Sequence, residues 1–245
     1  MKAWINGIGY VGAGGFGVGL GVDPGTDLSV GSKLLQPGNV EIPQRKEIFS
    51  GPDRRYGRLD QFSRLGLGAL TFCLRDAKQE EYTQKRAIGI VTASRYGCLH
   101  TDLDYLDTML PEGGRFASPN LFAYTLPNCF LGEAALRFGL SGTTLVLNRA
   151  DHSGLAALSY ALEELNWSGG CVGMCAGVCD LPPVLELKEP NACYGSIFFL
   201  LEKAPSPCGT TYGTLELDGS HLRCNSTNIA TLADVLQSCA PQNIH

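Results

Sequence analysis

Apolar positions recur along the chain at two spacings that take turns. Between Leu59 and Ala77, "LDQFSRLGLGALTFCLRDA", the residues Leu59, Phe62, Leu65, Leu70 and Leu74 fall at helical intervals while Arg58, Arg64 and Arg75 are left to solvent, which predicts an amphipathic helix. "RAIGIVTAS", from Arg86 to Ser94, is a short unbroken apolar run of the kind a strand buried on both faces shows. "HTDLDYLDTML" predicts a second helix ending at Pro111. Pro119 and Pro127 then bracket a loop, "NLFAYTL", before a third helix, "NCFLGEAALRFGL", that stops at Gly139. "TTLVLNR", "SGLAALSYALEEL" and "CVGMCAGVC" continue as strand, helix and strand, "SIFFLLEKA" and "TYGTLELDG" predict closing strands, and "TNIATLADVLQS" predicts a final helix. At the start of the chain "AWINGIGYV" predicts a first strand, and the Gly-dense "GAGGFGVGLGVDPG" after it predicts loop. This alternation predicts an α/β fold with a mostly parallel sheet covered by helices on both faces. No repeat or low-complexity linker divides the chain, so residues 1–245 are expected to form a single domain.

Composition narrows the classes of function. With 44% hydrophobic residues the chain can build a substantial core, and 19 Lys+Arg against 24 Asp+Glu leave a net charge of −5 without a polybasic run that could neutralise a row of phosphates. Nucleic acid is therefore not an expected partner. The first twenty residues carry Lys2 as their one basic residue and a Gly-rich run where a signal peptide would have an apolar core; no apolar segment reaches the roughly 20 residues of a membrane span. The expectation is a cytoplasmic protein with no membrane partner. Ten cysteines in a chain of this length are expected to be reduced and mostly buried. Cys171, Cys175 and Cys179 resemble a cluster-binding triplet, but their even spacing also puts them on one face of a strand. The absence of a CxxC pair or a neighbouring His favours packing over metal.

Two stretches hold candidate chemistry. Gly7, Gly9 and Gly12 satisfy G-x-G-x-x-G, yet more glycines and Pro24 follow where a dinucleotide-binding unit needs a helix. In "LNRADHSGLAAL", Asp151, His152 and Ser153 stand at a strand-to-helix turn. A hydrolytic triad gathers its members from separated places, and no G-x-S-x-G surrounds Ser153. Asp151 and Ser153 fit the role of helix caps better, since a side-chain oxygen there satisfies free backbone N–H groups and complements the helix dipole. His100, His221 and His245 sit in no shared motif.

Several of these segments, in order, resemble the N-terminal half of the β-ketoacyl-acyl carrier protein synthase family. "WINGIGYVG" is similar to its first strand and loop, "RLDQFSRLGLGAL" to its Arg-x-Asp-x-Phe-Ser helix, and "IGIVTAS" to its strand ending in small residues. "SPNLFAYTLPNCFLGEAALRFGLSGTTLVLNRADHSGLAAL" resembles the Ser-Pro loop, the Leu-Pro-Asn helix start, the Phe-Gly-Leu-x-Gly turn and the nucleophile strand and helix, with "CVGMCAGVCD" and "ACYGSIFFLLEKA" similar to the strands that follow.

The resemblance implies a thiolase-like fold, one N-terminal-type half of a duplicated architecture, with no cofactor and no metal. It places the family's nucleophilic cysteine on Asp151, and Cys129, the nearest cysteine, belongs to another helix. A carboxylate at a helix head is a stable anion and a poor acyl acceptor, so no catalytic residue is expected in this chain. The family's two histidines and lysine belong to a second half that the sequence does not reach. By this pattern the chain looks like the short chain-length-factor subunits of type II polyketide and polyene synthases. These imply a heterodimer with a complete β-ketoacyl synthase and an indirect relation to acyl carrier protein. On that pattern Thr143, Thr144, Leu145, Val146 and Leu147 pair across the interface, while Leu121, Phe122, Tyr124 and Thr125 reach the partner's acyl tunnel and set chain length. A half-fold of this kind is expected to leave apolar surface for the partner. The rival readings are a stand-alone decarboxylase or acyltransferase using Asp151 and His152, and a nicotinamide-dependent oxidoreductase using Gly7, Gly9 and Gly12.

Overall fold

A computed structural model describes residues 1–20, 38–149, 154–167, 169–183 and 194–240. Its centre is β1 (Lys2–Gly12), a strand long enough to serve two neighbours on one edge. Lys2–Ile5 pair there with β7 (Gly213–Asp218) and Gly9–Gly12 with β2 (Gly15–Val18), while the other edge pairs with β6 (Gly195–Glu202). With β3 (Ile88–Ser94), β4 (Thr144–Asn148), β5 (Gly173–Asp180), β8 (His221–Cys224) and β9 (Thr227–Asn228), one sheet forms in the order β4-β3-β5-β6-β1-β7-β8-β9, with β2 beside β1.

The sheet is mixed. Only β3–β4 and β3–β5 are parallel among these pairs; β5–β6, β6–β1, β1–β7, β1–β2, β7–β8 and β8–β9 are antiparallel. The expectation of a mostly parallel sheet therefore holds for three strands, because helical crossovers join only those; hairpins and long returns reverse the rest. The Gly-dense run is likewise not all loop, since Gly15–Val18 folds back on β1 as β2.

Gly7 and Gly9 lie in the middle of β1, and the strand β2 rather than a helix comes directly after Gly12, which goes against the rival nucleotide-loop reading. Their use is steric. A Cβ on Gly9 would run into the Cys73 amide nitrogen and the Ala69 carbonyl, and one on Gly7 would come within 2.6 Å of the Cys73 carbonyl oxygen. Both residues belong to the longest helix, so the glycines let it lie directly on the strand.

One face of the sheet carries α1 (Arg45–Ile48), α2 (Gln61–Asp76) and α5 (Cys129–Phe138), with Ile48, Phe62, Leu65, Leu70, Phe130 and Phe198 in a common core. Asp60 caps α2 by accepting from Ser63 N at 2.9 Å, and Gly139 ends α5 at φ 62°. The stretch between β3 and α5 holds α3 (Leu99–Met109) and the single turn α4 (Pro119–Phe122). The other face carries α6 (Leu155–Trp167) and α7 (Leu232–Cys239).

Ala157, Leu158, Ala161, Leu162 and Leu165 of α6 are fully buried in a second core with Leu215, Leu222, Cys224, Val235 and Leu236. The apolar side of α6 thus packs down on the sheet, chiefly on β5 and β3, in a core that β7, β8 and α7 extend. Exposed apolar surface lies elsewhere, at Leu110, Phe116, Phe122, Leu126 and Leu136, and at Trp167 on the end of α6.

Cys175 and Cys179 point from β5 into the first core, but Cys171 packs in the second. The strand begins only at Gly173, so its alternation does not extend back to Cys171, and the expectation of one shared face fails for that residue. Among the described residues no group of three His, Cys, Asp or Glu side chains is placed to hold a metal ion.

Candidate functional site

The parallel strands β3, β4 and β5 end together at Ser94, Asn148 and Asp180, and in α/β sheets the carboxyl ends of such strands are where ligand sites form. Asp180 ties them. Its Oδ1 accepts from Ser94 Oγ at 2.8 Å, Arg95 N at 2.9 Å and Tyr96 N at 3.1 Å, while Ser94 Oγ also accepts from Gly97 N at 2.8 Å. A carboxylate buried to this degree needs such donors to remain in place. The sequence offered one signal for it, a lone acid closing an otherwise uncharged strand.

Arg149 N donates to Ser94 O at 2.9 Å and holds the exit of β4 against β3. The chain re-enters the described structure at Gly154, φ 66°, directly before α6. A Cβ there would meet Val178 of β5 and Leu232 of α7, so the backbone at Gly154 is pinched between these two elements. Asp151, His152 and Ser153, expected as the altered nucleophile position and its caps, lie outside the described residues. A cavity of about 330 Å³ opens beside the start of α6, lined by Arg149, Ser159, His221, Asn228 and Ile229 among others. His221 reaches it from the β8 hairpin, which sequence patterning missed because His221–Cys224 is short and alternates only twice.

The residues expected at the interface form an edge strand. Among the described residues β4 pairs only with β3, and Leu145, Val146 and Leu147 are half-buried while Thr143 and Thr144 are exposed. Thr143 O accepts from Ile90 N and Arg149 N donates to Ser94 O, so the odd-numbered residues of this stretch face β3. Thr144, Val146 and Asn148 consequently turn their N–H and C=O groups to the open edge.

The expected tunnel loop divides in two. Phe122 is 62% exposed and meets Tyr105 ring to ring at 5.5 Å, whereas Tyr124 packs against the first core. Leu121 and Thr125 are half-buried, with Leu121 N donating to Ser118 Oγ and Thr125 Oγ1 to Phe122 O.

Thiol chemistry is disfavoured at the described cysteines near this end. Cys129 donates from Sγ to Ala123 O at 3.1 Å and burial pushes its pKa up. Burial beside Asp102 and Asp60 raises Cys98 to about 12, and burial also pushes Cys179 well above the usual thiol range.

The layered sheet, its central glycines and the helix that follows β4 define a thiolase-like α/β protein. The β-ketoacyl synthase N-terminal domain matches residues 40–184, and the chain belongs to that family. Among solved structures it is similar to the ishigamide ketosynthase/chain length factor, at 17% identity and TM-score 0.61 over 88% of this chain and 66% of that one. A ketosynthase and chain length factor pair from Xenorhabdus doucetiae matches at 18% identity and TM-score 0.55 over 84% of this chain and 80% of that one. A Streptomyces virginiae protein whose name describes it as a candidate polyketide β-ketoacyl synthase is 31% identical over 102 residues, 39% of this chain and 24% of its own length. The chain thus spans about a quarter of that curated relative and 66% of the ishigamide protein's chain. No helix among the described residues is long and apolar enough to cross a membrane.

Proposed function

We propose that this chain is a non-catalytic, chain-length-factor-type subunit that pairs with a complete β-ketoacyl synthase and shapes the tunnel in which an acyl carrier protein-bound chain grows in polyketide, polyene or fatty-acid-like synthesis. One observation carries the reading: the turn between β4 and α6 reads Ala150-Asp151-His152-Ser153, with a carboxylate where the family pattern has its thiol. A carboxylate holds no thioester, so transthiolation has no acceptor at that turn. Two features of the fold support the pairing. Among the described residues β4 has an uncharged edge with no strand paired to it, and the chain between β3 and α5 presents Phe122 beyond its own core. Asp151 and Ser153 serve in this reading as caps of α6, and Leu121, Phe122, Tyr124 and Thr125 as the surface that limits the growing chain.

The test is acyl loading from a labelled acyl carrier protein, measured on the isolated chain and on its complex with a ketosynthase whose own cysteine has been replaced. No label should transfer to this chain in either case. Stable acylation abolished by Asp151→Asn would overturn the proposal and favour the stand-alone acyltransferase. In the active pair, Phe122→Ala is expected to lengthen products and shift their distribution by roughly tenfold, because relieving an overpacked contact of about 1–3 kcal/mol changes an equilibrium by that factor.

A further inference from the structure

Cys224 and Cys239 sit with their sulfur atoms 3.8 Å apart, fifteen residues apart in sequence, both buried, one on β8 and the other in the last turn of α7. We propose that they form a redox-active dithiol whose closure to a disulfide fastens α7 to the sheet and fixes the wall that α7 forms beside Gly154 at the start of α6. The contact is direct. Leu232, the first residue of α7, packs where a Cβ on Gly154 would stand, so α7 bounds the backbone at the start of α6.

The pair is also arranged for the chemistry. The two thiols share a hydrogen bond in which either sulfur can donate, and when Cys224 ionises the Cys239 S–H holds its pKa below the ordinary thiol value. Cys224 is fully buried and Cys239 is 6% exposed at the C-terminal end of α7, the end at which a short helix frays, so fraying of that last turn is the route by which a small peroxide reaches the pair. The co-reactant is a hydroperoxide. The Cys224 thiolate attacks the peroxide oxygen, the O–O bond breaks, and the leaving alkoxide or hydroxide takes a proton to give alcohol or water with Cys224 as a sulfenic acid. The Cys239 sulfur then attacks the Cys224 sulfur, the S–O bond breaks, and the departing hydroxide takes the Cys239 proton as water. Two thiols are oxidised by two electrons and one peroxide is reduced.

The experiment uses the full chain carrying Cys208→Ser, which removes an exposed thiol outside both cores. The protein is treated with hydrogen peroxide, unfolded in N-ethylmaleimide and mapped without reduction. The expected result is a peptide joining Cys224 to Cys239, a midpoint of thermal unfolding raised by roughly 6–12 °C from closing a loop of this length, and reversal of both by dithiothreitol. Alkylation of both residues after peroxide, or crosslinks that join them only to other cysteines, would overturn the proposal. Cys239→Ser should abolish the thermal shift. Should that variant fail to fold, peptide mapping of the Cys208→Ser chain decides alone.

Discussion

The two ends of the sheet are finished in opposite ways. At one end the last strand, β9, has two residues, Thr227 and Asn228, both exposed and polar. At the other end β4 reads Thr-Leu-Val-Leu-Asn, carries no charge and no proline, and keeps three half-buried apolar residues beside an open edge. A short polar strand is a blunted edge, while an uncharged strand of five residues is a template for another strand. The same contrast appears in the layers. Beyond β1 the chain runs on through β7, β8 and α7 and extends the core in which the inner side of α6 is fully buried on the sheet, whereas the connection from β3 to β4 displays Leu110, Phe116, Phe122 and Leu126. One end is built for internal closure and the other retains the features of a contact surface.

The largest effect should come from breaking the closed end. Leu162→Ala removes a fully buried side chain from the second core, where α6, the sheet and the C-terminal segment meet. The expected loss is about 2–5 kcal/mol, or a fall of roughly 5–15 °C in the midpoint of thermal unfolding. A fall of only a degree or two in calorimetry would mean that α6 does not pack on the sheet in solution as described.

The open end should respond differently. Thr144 directs its N–H to the free edge, and its side chain is exposed, so Thr144→Pro deletes an outward donor while sparing the bonds to β3. Its unfolding midpoint should stay within a few degrees, whereas affinity for the ketosynthase partner should weaken roughly a hundredfold, about 2.7 kcal/mol. Titration of the two purified subunits reads this out. Unchanged affinity would remove β4 from the interface.

Which parts of this contrast could be read from the sequence follows from how local their causes are. α2, β3, β4 and the stop of α5 at Gly139 were legible because periodicity or a left-handed cap specifies each within a few residues. β2 and β8 were not, since four-residue strands rich in glycine or charge carry little pattern and owe their pairing to β1 and β7. The direction of β6 also lay outside local reading; it depends on the return of the chain beside β5 and β1. At the site, the strand-turn-helix around Asp151 was visible as a motif. The supports around it were not, because Asp180 reaches Ser94 from 86 residues away and Leu232 reaches Gly154 from the last helix.

The smallest expected effect tests how α7 is held at the closed end. Thr231 and Asp234 cap it reciprocally: Thr231 Oγ1 accepts from Asp234 N at 3.2 Å, and Asp234 Oδ2 accepts from Ala230 N and Thr231 N at 2.8 Å. Thr231→Ala should cost about 1 kcal/mol, most of it at any pH because a hydroxyl cap does not titrate, with only its smaller share in stabilising the Asp234 carboxylate falling away in acid. Asp234 differs. The Ala230 N–H, aided by the Thr231 groups, stabilises its carboxylate and lowers its pKa in the folded chain. Its contribution is therefore fully present above the ordinary carboxylate range and is lost as pH falls through the lowered folded value. Asp234→Ala should destabilise the chain by a few tenths of a kcal/mol to about 1 kcal/mol at pH 7, and by progressively less on acidification below roughly pH 4. Urea unfolding midpoints of the two variants, taken relative to the unsubstituted chain, should therefore converge for Asp234→Ala in acid but not for Thr231→Ala. Parallel pH dependence in both would show that the Asp234 carboxylate is not what anchors the start of α7.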